Sequence, residues 1–359
     1  MRTAPHASRV LAGRFTRRAI VIGGALLAGS LLASSPGLAV ASSAALSGVH
    51  VLGRDFNFPA SIASDGTRVW VANYDGNSVT ELSAKTGRLI KVISGSRYKF
   101  NGPFSIAPDG THVWVANIEG ESVTELSAKT GRLIKVISGS RYKFDVPGAI
   151  ASDSTHVWVA NSTSVTELSA KTGRLINVIS GSRYKFADTT AIASDGTRVW
   201  VASSSVTVLS AKTGRLISVI SGSRYKFTNS VAIASDGTHV WVANYGYGSN
   251  YSVTELSART GRLVKVISGS RYKFNGPSGI ASDGTHVWVT NDGDGALPHS
   301  VTELSARTGR LVKVISGSRY KFNGPEPIAS DGTHVWVANI GGNSVTELSA
   351  KTGRLVKVI

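Results

Sequence analysis

The sequence predicts an all-β fold, a seven-bladed β-propeller of four-stranded antiparallel blades, and three observations carry that expectation. Tryptophan recurs seven times, at Trp70, Trp114, Trp158, Trp200, Trp241, Trp288 and Trp336, always within nearly the same run of residues. The intervals between them are 44, 44, 42, 41, 47 and 48 residues, a period in the range of propeller blades. Inside each period, short β-branched runs alternate with turn residues, as a sheet of short strands requires.

The first 41 of the 359 residues stand outside the repeat. Residues 1–18 hold Arg2, Arg9, Arg14, Arg17 and Arg18 and no acid, and an apolar run, Ala19 to Ala33, follows. A small-residue site, Ala39-Val40-Ala41, completes the pattern of a secretory signal, so residues 1–41 are read as a signal peptide and 42–359 as the propeller. The apolar run is shorter than the ~20 residues a bilayer span needs, so membrane attachment would require the signal to stay uncleaved. Thr16-Arg17-Arg18-Ala19-Ile20-Val21 also fits a twin-arginine export signal. Export by either route makes the protein secreted or cell-envelope associated.

There is no cysteine, which excludes disulfides, a lipoprotein anchor and thiolate metal sites. The chain carries 39 Lys/Arg against 22 Asp/Glu, and after residue 41 the balance is 34 against 22, or +12. Such a charge attracts polyanions. For an exported protein these are an anionic wall polymer or extracellular polysaccharide before nucleic acid, and no nucleic-acid partner is expected.

Each repeat resolves into four strands. In the second, Ser105-Ile106-Ala107 is the first strand and Asp109-Gly110 turns the chain, a strong hairpin signal. Thr111 to Ala116 is the second strand, 117–121 a loop, Ser122 to Ser127 the third, Thr130-Gly131 a turn, and Leu133 to Ile137 the fourth. Alternation puts Val113 and Val115 on one face and Trp114 and Ala116 on the other. Both faces are apolar, so each must be covered by a neighbouring blade, and the tryptophans are expected between blades. At the ends, Val49-His50-Val51-Leu52 and Leu355 to Ile359 both resemble a fourth strand. They compete for, or share, the outer edge of the last blade.

Val113-Trp114-Val115-Ala116-Asn117 followed by Ser122-Val123-Thr124-Glu125-Leu126 resembles the repeat of YVTN-type propellers. Asn275-Gly276-Pro277-Ser278-Gly279-Ile280-Ala281 before Asp283-Gly284 resembles the related NHL repeat. The resemblance spans residues from about 49 onward. It implies the propeller fold, while propellers as a class serve as enzymes, binding modules and scaffolds.

With the first strand innermost, the Asp-Gly turns lie at one end of the ring, and the loops between second and third strands lie at the other with the inter-blade linkers. The second end varies. Blade five carries Tyr245, Tyr247 and Tyr251 among Gly and Asn, a recognition-loop composition suited to stacking on sugar rings. Blade six carries Asp292-Gly293-Asp294, a candidate metal pair that lacks the further oxygen ligands and distal Glu of a calcium loop. Six linkers repeat Ser-Arg-Tyr-Lys-Phe, giving the cation pairs Arg97/Lys99, Arg141/Lys143, Arg183/Lys185, Arg224/Lys226, Arg271/Lys273 and Arg319/Lys321, with Arg54 a partial seventh. Strand-like alternation would send the cations outward and Tyr and Phe onto the blade junction, forming a polyanion-binding annulus with a steep salt dependence.

Evidence for catalysis is thin at this level. The innermost strands present Ala60, Phe104, Gly148, Thr190, Val231, Ser278 and Glu326 near the channel, and Glu326 is the one ionisable residue among them. Repeated histidines at 112, 156, 239, 286 and 334 sit beside the Trp, with Arg68 and Arg198 replacing them as surface positions would permit. The expectation is a monomeric, non-catalytic binding propeller with no cofactor, engaging an envelope polymer or protein. The alternative is a propeller enzyme of the streptogramin lyase-like or lactonase-like type, using Glu326 and a loop histidine such as His299.

Overall fold

The computed structural model describes residues 56–246, 250–293 and 298–359. The expected signal segment, the strand-like run 49–52, Arg54, Tyr247 and Asp294 lie outside the described residues. Seven four-stranded antiparallel sheets form a closed ring, and each is built from four consecutive strands. In blade two these are Pro103–Pro108, His112–Asn117, Ser122–Ser127 and Leu133–Ser138, a residue or two from the expected bounds. The first strand of every blade is innermost and lies against the first strands of its neighbours, including blade one against blade seven.

The last blade takes its outer strand, Leu355–Val358, from its own repeat. Ile359 extends that edge by exchanging backbone hydrogen bonds with Val345, at 2.8 and 2.9 Å. Closure is then a matter of side chains. Phe56 packs with Trp336, Ala338 and Val345 of blade seven, and the Phe58 N–H donates to Asn343 Oδ1 at 2.9 Å. Lys357 Nζ reaches across to the Thr86 carbonyl of blade one.

All seven tryptophans are fully buried between blades. Trp114 and Ala116 pack against Val157, Val159 and Leu168 of blade three, while Val113 and Val115 face Trp70 of blade one. Burying the whole indole is among the largest single contributions available to a core.

The repeated polar residues have structural roles in the same unit. Asp109 Oδ1 accepts from the Thr111 and His112 N–H groups at 2.8 and 2.6 Å, which closes the turn. Its Oδ2 accepts from Trp114 Nε1 at 2.9 Å, so one carboxylate also satisfies the buried indole. At the opposite end, fully buried Asn117 donates to Ser122 Oγ and Thr124 Oγ1. Thr124 Oγ1 in turn donates to the Tyr98 carbonyl at 2.9 Å, tying the linker down over the blade.

The third-strand glutamate is buried as well. Glu125 is 2% exposed and lies 3.6 Å from His112 Nε2 and 3.4 Å from Lys135 Nζ. The Lys135 ammonium also donates to the Thr172 carbonyl of the next blade. The His/Arg position is therefore not the free surface position expected from sequence. Arg68 Nε lies 2.5 Å from buried Glu81, and its guanidinium donates to the Ala128 carbonyl of blade two at 2.8 Å. A buried carboxylate requires a partner, and the long Arg side chain additionally reaches the neighbouring blade.

Candidate functional site

The variable end of the ring is layered. Innermost is the mouth of the central channel. The first-to-second strand register skips one residue at Ala60, Phe104, Val231 and Ser278 and two at Glu326-Pro327, so that five of the seven mouth residues sit on an irregularity in the ladder, while Gly148 and Thr190 lie just before their strands. Bulges of this kind re-aim a side chain out of the sheet. Blade six shows how closely the backbones approach there. A Cβ on Gly279 would stand 2.0 Å from the Glu326 carbonyl oxygen, so only glycine fits beneath the blade-seven irregularity.

The next layer is formed where the second strand ends. The N–H groups of Tyr74, Ile118, Tyr245, Asp292 and Ile340 donate to linker carbonyls at Phe58, Gly102, Asn229, Gly276 and Gly324, at 2.8 to 3.0 Å. Those linker residues share left-handed backbone, with φ of 53 to 61°. Glycine adopts that conformation freely, and Phe58 adopts it at φ 54°. These bonds fix the bases of the variable loops around the mouth.

Tyr245 and Tyr251 meet edge-on, with centroids 5.7 Å apart and planes at 75°. On blade six, His299 Nδ1 lies 3.8 Å from Asp292 Oδ1. Glu326 is half-buried on the adjacent blade, and its carbonyl accepts from Thr290 Oγ1 at 2.7 Å. Among the described residues, no three His, Cys, Asp or Glu side chains gather where they could share a metal ion.

Sequence reasoning passed over Phe58, Tyr74 and Glu119. Tyr74 packs on Phe58 at 5.5 Å and 52°, and on Phe104 at 6.1 Å and 81°. The Tyr74 hydroxyl donates to Glu119 Oε1 at 2.5 Å. Burial, and then this carboxylate, hold the phenol pKa far above its ordinary value, so the group stays a neutral donor. The available signal was positional, because Tyr74 and Tyr245 both follow the buried Asn of their repeats.

The outermost layer is the cationic ring. Ser96–Tyr98 forms a single 3-10 turn and Lys99 follows in left-handed conformation at φ 53°. The linker is thus a helical turn, not the extended strand expected. Tyr98 is buried and stacks on Phe100 at 5.4 Å, while Arg97 and Lys99 are exposed. Arg97 does not point away from the tyrosine but lies over its ring at 4.8 Å and donates to its hydroxyl at 3.0 Å. The other five copies repeat this geometry, with Arg141, Arg183, Arg224, Arg271 and Arg319 at 4.7 to 4.8 Å from their tyrosine rings. Lys143, Lys185, Lys226, Lys273 and Lys321 are all exposed in left-handed conformation.

Two open cavities lie between linkers and loops. One of about 650 Å³ includes Glu121, Gly139, Ser140, Lys143 and Thr163, and one of about 470 Å³ includes Asn77, Gly95, Ser96 and Lys99. Each contains a ring lysine beside a Gly-Ser backbone.

No protein-family profile matches this chain. No curated protein sequence matches it. Solved structures do. Hydrazine synthase of Kuenenia stuttgartiensis is similar at TM-score 0.65 and 19% identity, covering 87% of this chain and 100% of that one. Virginiamycin B lyase from Staphylococcus aureus is similar at TM-score 0.64 and 14% identity, covering 80% and 94%. The WD40 repeats of RRP9 are similar at TM-score 0.62 and 14% identity, covering 78% and 86%. At such identities the likeness is one of fold, which these three share with this chain as β-propellers.

Proposed function

We propose that this protein is an exported, monomeric binding propeller of YVTN/NHL type, without a cofactor, whose variable end engages an anionic polymer of the cell envelope. One observation carries the reading. Six identical turns hold twelve exposed cations in a ring, and each arginine is pre-set by stacking on a buried tyrosine. Pre-set cations lose less side-chain entropy on binding a polymer. Tyr245 and Tyr251 supply stacking surface beside the ring for a polysaccharide, with Tyr247 on the same loop.

The test is retention of the purified protein on isolated cell envelope and wall polysaccharide across a salt series. Retention falling steeply with salt supports the ring, and salt-resistant retention lost on Tyr245→Gly/Tyr251→Ser supports the loop. No retention on either material overturns envelope binding.

A second reading, a lyase-like enzyme, is favoured by one local observation. His299 and Asp292 pair in the loop layer around the mouth, on the blade next to the one that carries Glu326, and a lyase is among the similar folds. Turnover of a cyclic ester or lactone, lost on Glu326→Gln and His299→Ala, would establish it. Absence of turnover across such substrates would dismiss it.

A further inference from the structure

The ring is basic, but the sector of the mouth between blades one and two is not. The described residues 57–59, 74–77, 101–104 and 118–121 include Asp75, Glu119 and Glu121 and no Lys or Arg, and the nearest ring lysines, Lys99 and Lys143, border Asn77 and Glu121 at the outer side of the sector. Three aromatic rings meet in this acidic sector. Phe104 is the one aromatic among the mouth residues of the inner strands, where the other blades place Ala60, Gly148, Thr190, Val231, Ser278 and Glu326. Its place in the strand irregularity between Pro103 and Ser105 releases it from the ladder, and its ring meets Tyr74 of blade one. Phe58 occupies a left-handed linker position held by Gly102, Gly276 and Gly324 in blades two, six and seven and by Val146, Asp188 and Asn229 in blades three to five, so it is the one aromatic at that position among the described blades.

All three rings are half-buried, so each keeps part of its surface open to solvent. Their planes, at 52° and 81° to one another through Tyr74, form a corner and not a flat patch. Glu119 holds the Tyr74 hydroxyl and places negative charge at the edge of the corner, with Asp75 next to it in the chain. A hydrocarbon ligand would gain from the rings but nothing from the carboxylates. A small hydrated cation such as ammonium would gain from the carboxylates but would lose hydration against the rings. An ammonium clothed in methyl groups gains from both, because its charge is spread over an apolar surface that lies well on aromatic faces.

We propose that Phe58, Tyr74 and Phe104, edged by Glu119 and Asp75, form a binding site for a quaternary ammonium group. The group belongs either to a free methylated amine or to a choline headgroup in a lipid surface. The site is separate from the cationic ring, and it stands whether or not the ring binds a polyanion.

The experiment titrates the full purified protein with tetramethylammonium and with choline by calorimetry or ligand-observed NMR. It adds 3,3-dimethylbutan-1-ol, the uncharged isostere of choline, and phosphatidylcholine vesicles in parallel. Saturable binding of tetramethylammonium is expected, with the uncharged alcohol at least tenfold weaker. Phe104→Ser, which installs the residue that blade six carries at this position, should weaken binding tenfold or more. Glu119→Gln should weaken it several-fold while leaving the melting temperature close to that of the parent. Choline binding free in solution identifies a soluble amine. Vesicle binding alone, if abolished by Phe104→Ser, identifies the lipid headgroup. The proposal fails if neither amine nor vesicle binds, if the alcohol binds as tightly as choline, or if Phe104→Ser binds like the parent.

Discussion

Asn177 stands directly opposite Glu167 across the third and fourth strands of blade three, at the place where every other glutamate-bearing blade has a lysine. In those five blades the lysine lies 3.4 to 3.7 Å from the buried carboxylate and also donates to the next blade's turn carbonyl. Blade three has neither contact from Asn177. Burial, then the charge of Asp153, push the Glu167 carboxyl up to about 7.

The consequence is a pH-dependent weakness at this junction. A carboxyl raised in the folded state is better accommodated when protonated. Its contribution is present in full below the unfolded value of 4.5 and is lost as pH rises through about 7. Asn177→Lys should restore the ion pair and the contact to blade four. Thermal unfolding at pH 5 and pH 8 should show a gain confined mainly to pH 8, about 1 kcal/mol after allowing for the exposed lysine end. An equal gain at both pH values would mean that Glu167 is not the group responsible.

The turn aspartates should differ among blades. Asp109 accepts the Trp114 indole N–H, whereas Trp288 and Trp336 have no hydrogen-bond partner for theirs. Asp109→Ala should therefore cost more than Asp283→Ala by about 1 kcal/mol, the net value of one hydrogen bond. Chemical denaturation of the two variants measures the difference directly.

Trp114→Ala removes an indole with no exposed surface from between blades two and three. A loss of about 3–5 kcal/mol is expected from the denaturation midpoint. Lys99→Asn should by contrast leave stability within about 0.5 kcal/mol, since the side chain is exposed and Asn accepts left-handed backbone. Combined with the same change at Lys143 and Lys273, it should flatten the salt dependence of envelope retention by close to one counterion per lysine.

Ring closure offers a different readout. Without residues 355–359, blade seven would lose its outer strand, the Val345–Ile359 bonds and the Lys357 contact to blade one. The truncated protein should show early proteolytic cleavage within blades seven and one, where Val345 and Leu348 would lose their cover. Lys357→Ala alone should leave the ring closed and cost about 1 kcal/mol or less.

Much of the fold was legible because its signals are local and repeated. Trp114 alternates with Val113 and Val115, and an apolar set on both faces has no stable solution without a blade on each side. The candidate site was legible only where composition changed, at Tyr245, Tyr251 and the Arg/Lys pairs. Phe104 was placed near the channel by its strand position, but its grouping with Phe58 and Tyr74 was not legible, because the three come from separate positions and converge only when blades one and two are side by side. The buried glutamates escaped for the opposite reason. Their sameness from blade to blade read as decoration on the Ser-Val-Thr-Glu-Leu strand, and nothing local reveals that a strand end lies beneath a histidine and a lysine.

The sequence by itself determined the number of blades, the strands within each and the placing of tryptophan between them, since period and alternation are properties of the chain. Tertiary structure alone decided that Leu355–Val358 pairs with the third strand of the last blade. It also decided that the linker turns so that each arginine lies on its tyrosine, and that three aromatics share a corner with Glu119. Those outcomes depend on contacts between residues tens to hundreds of positions apart, whose distances are set by the closure of the ring.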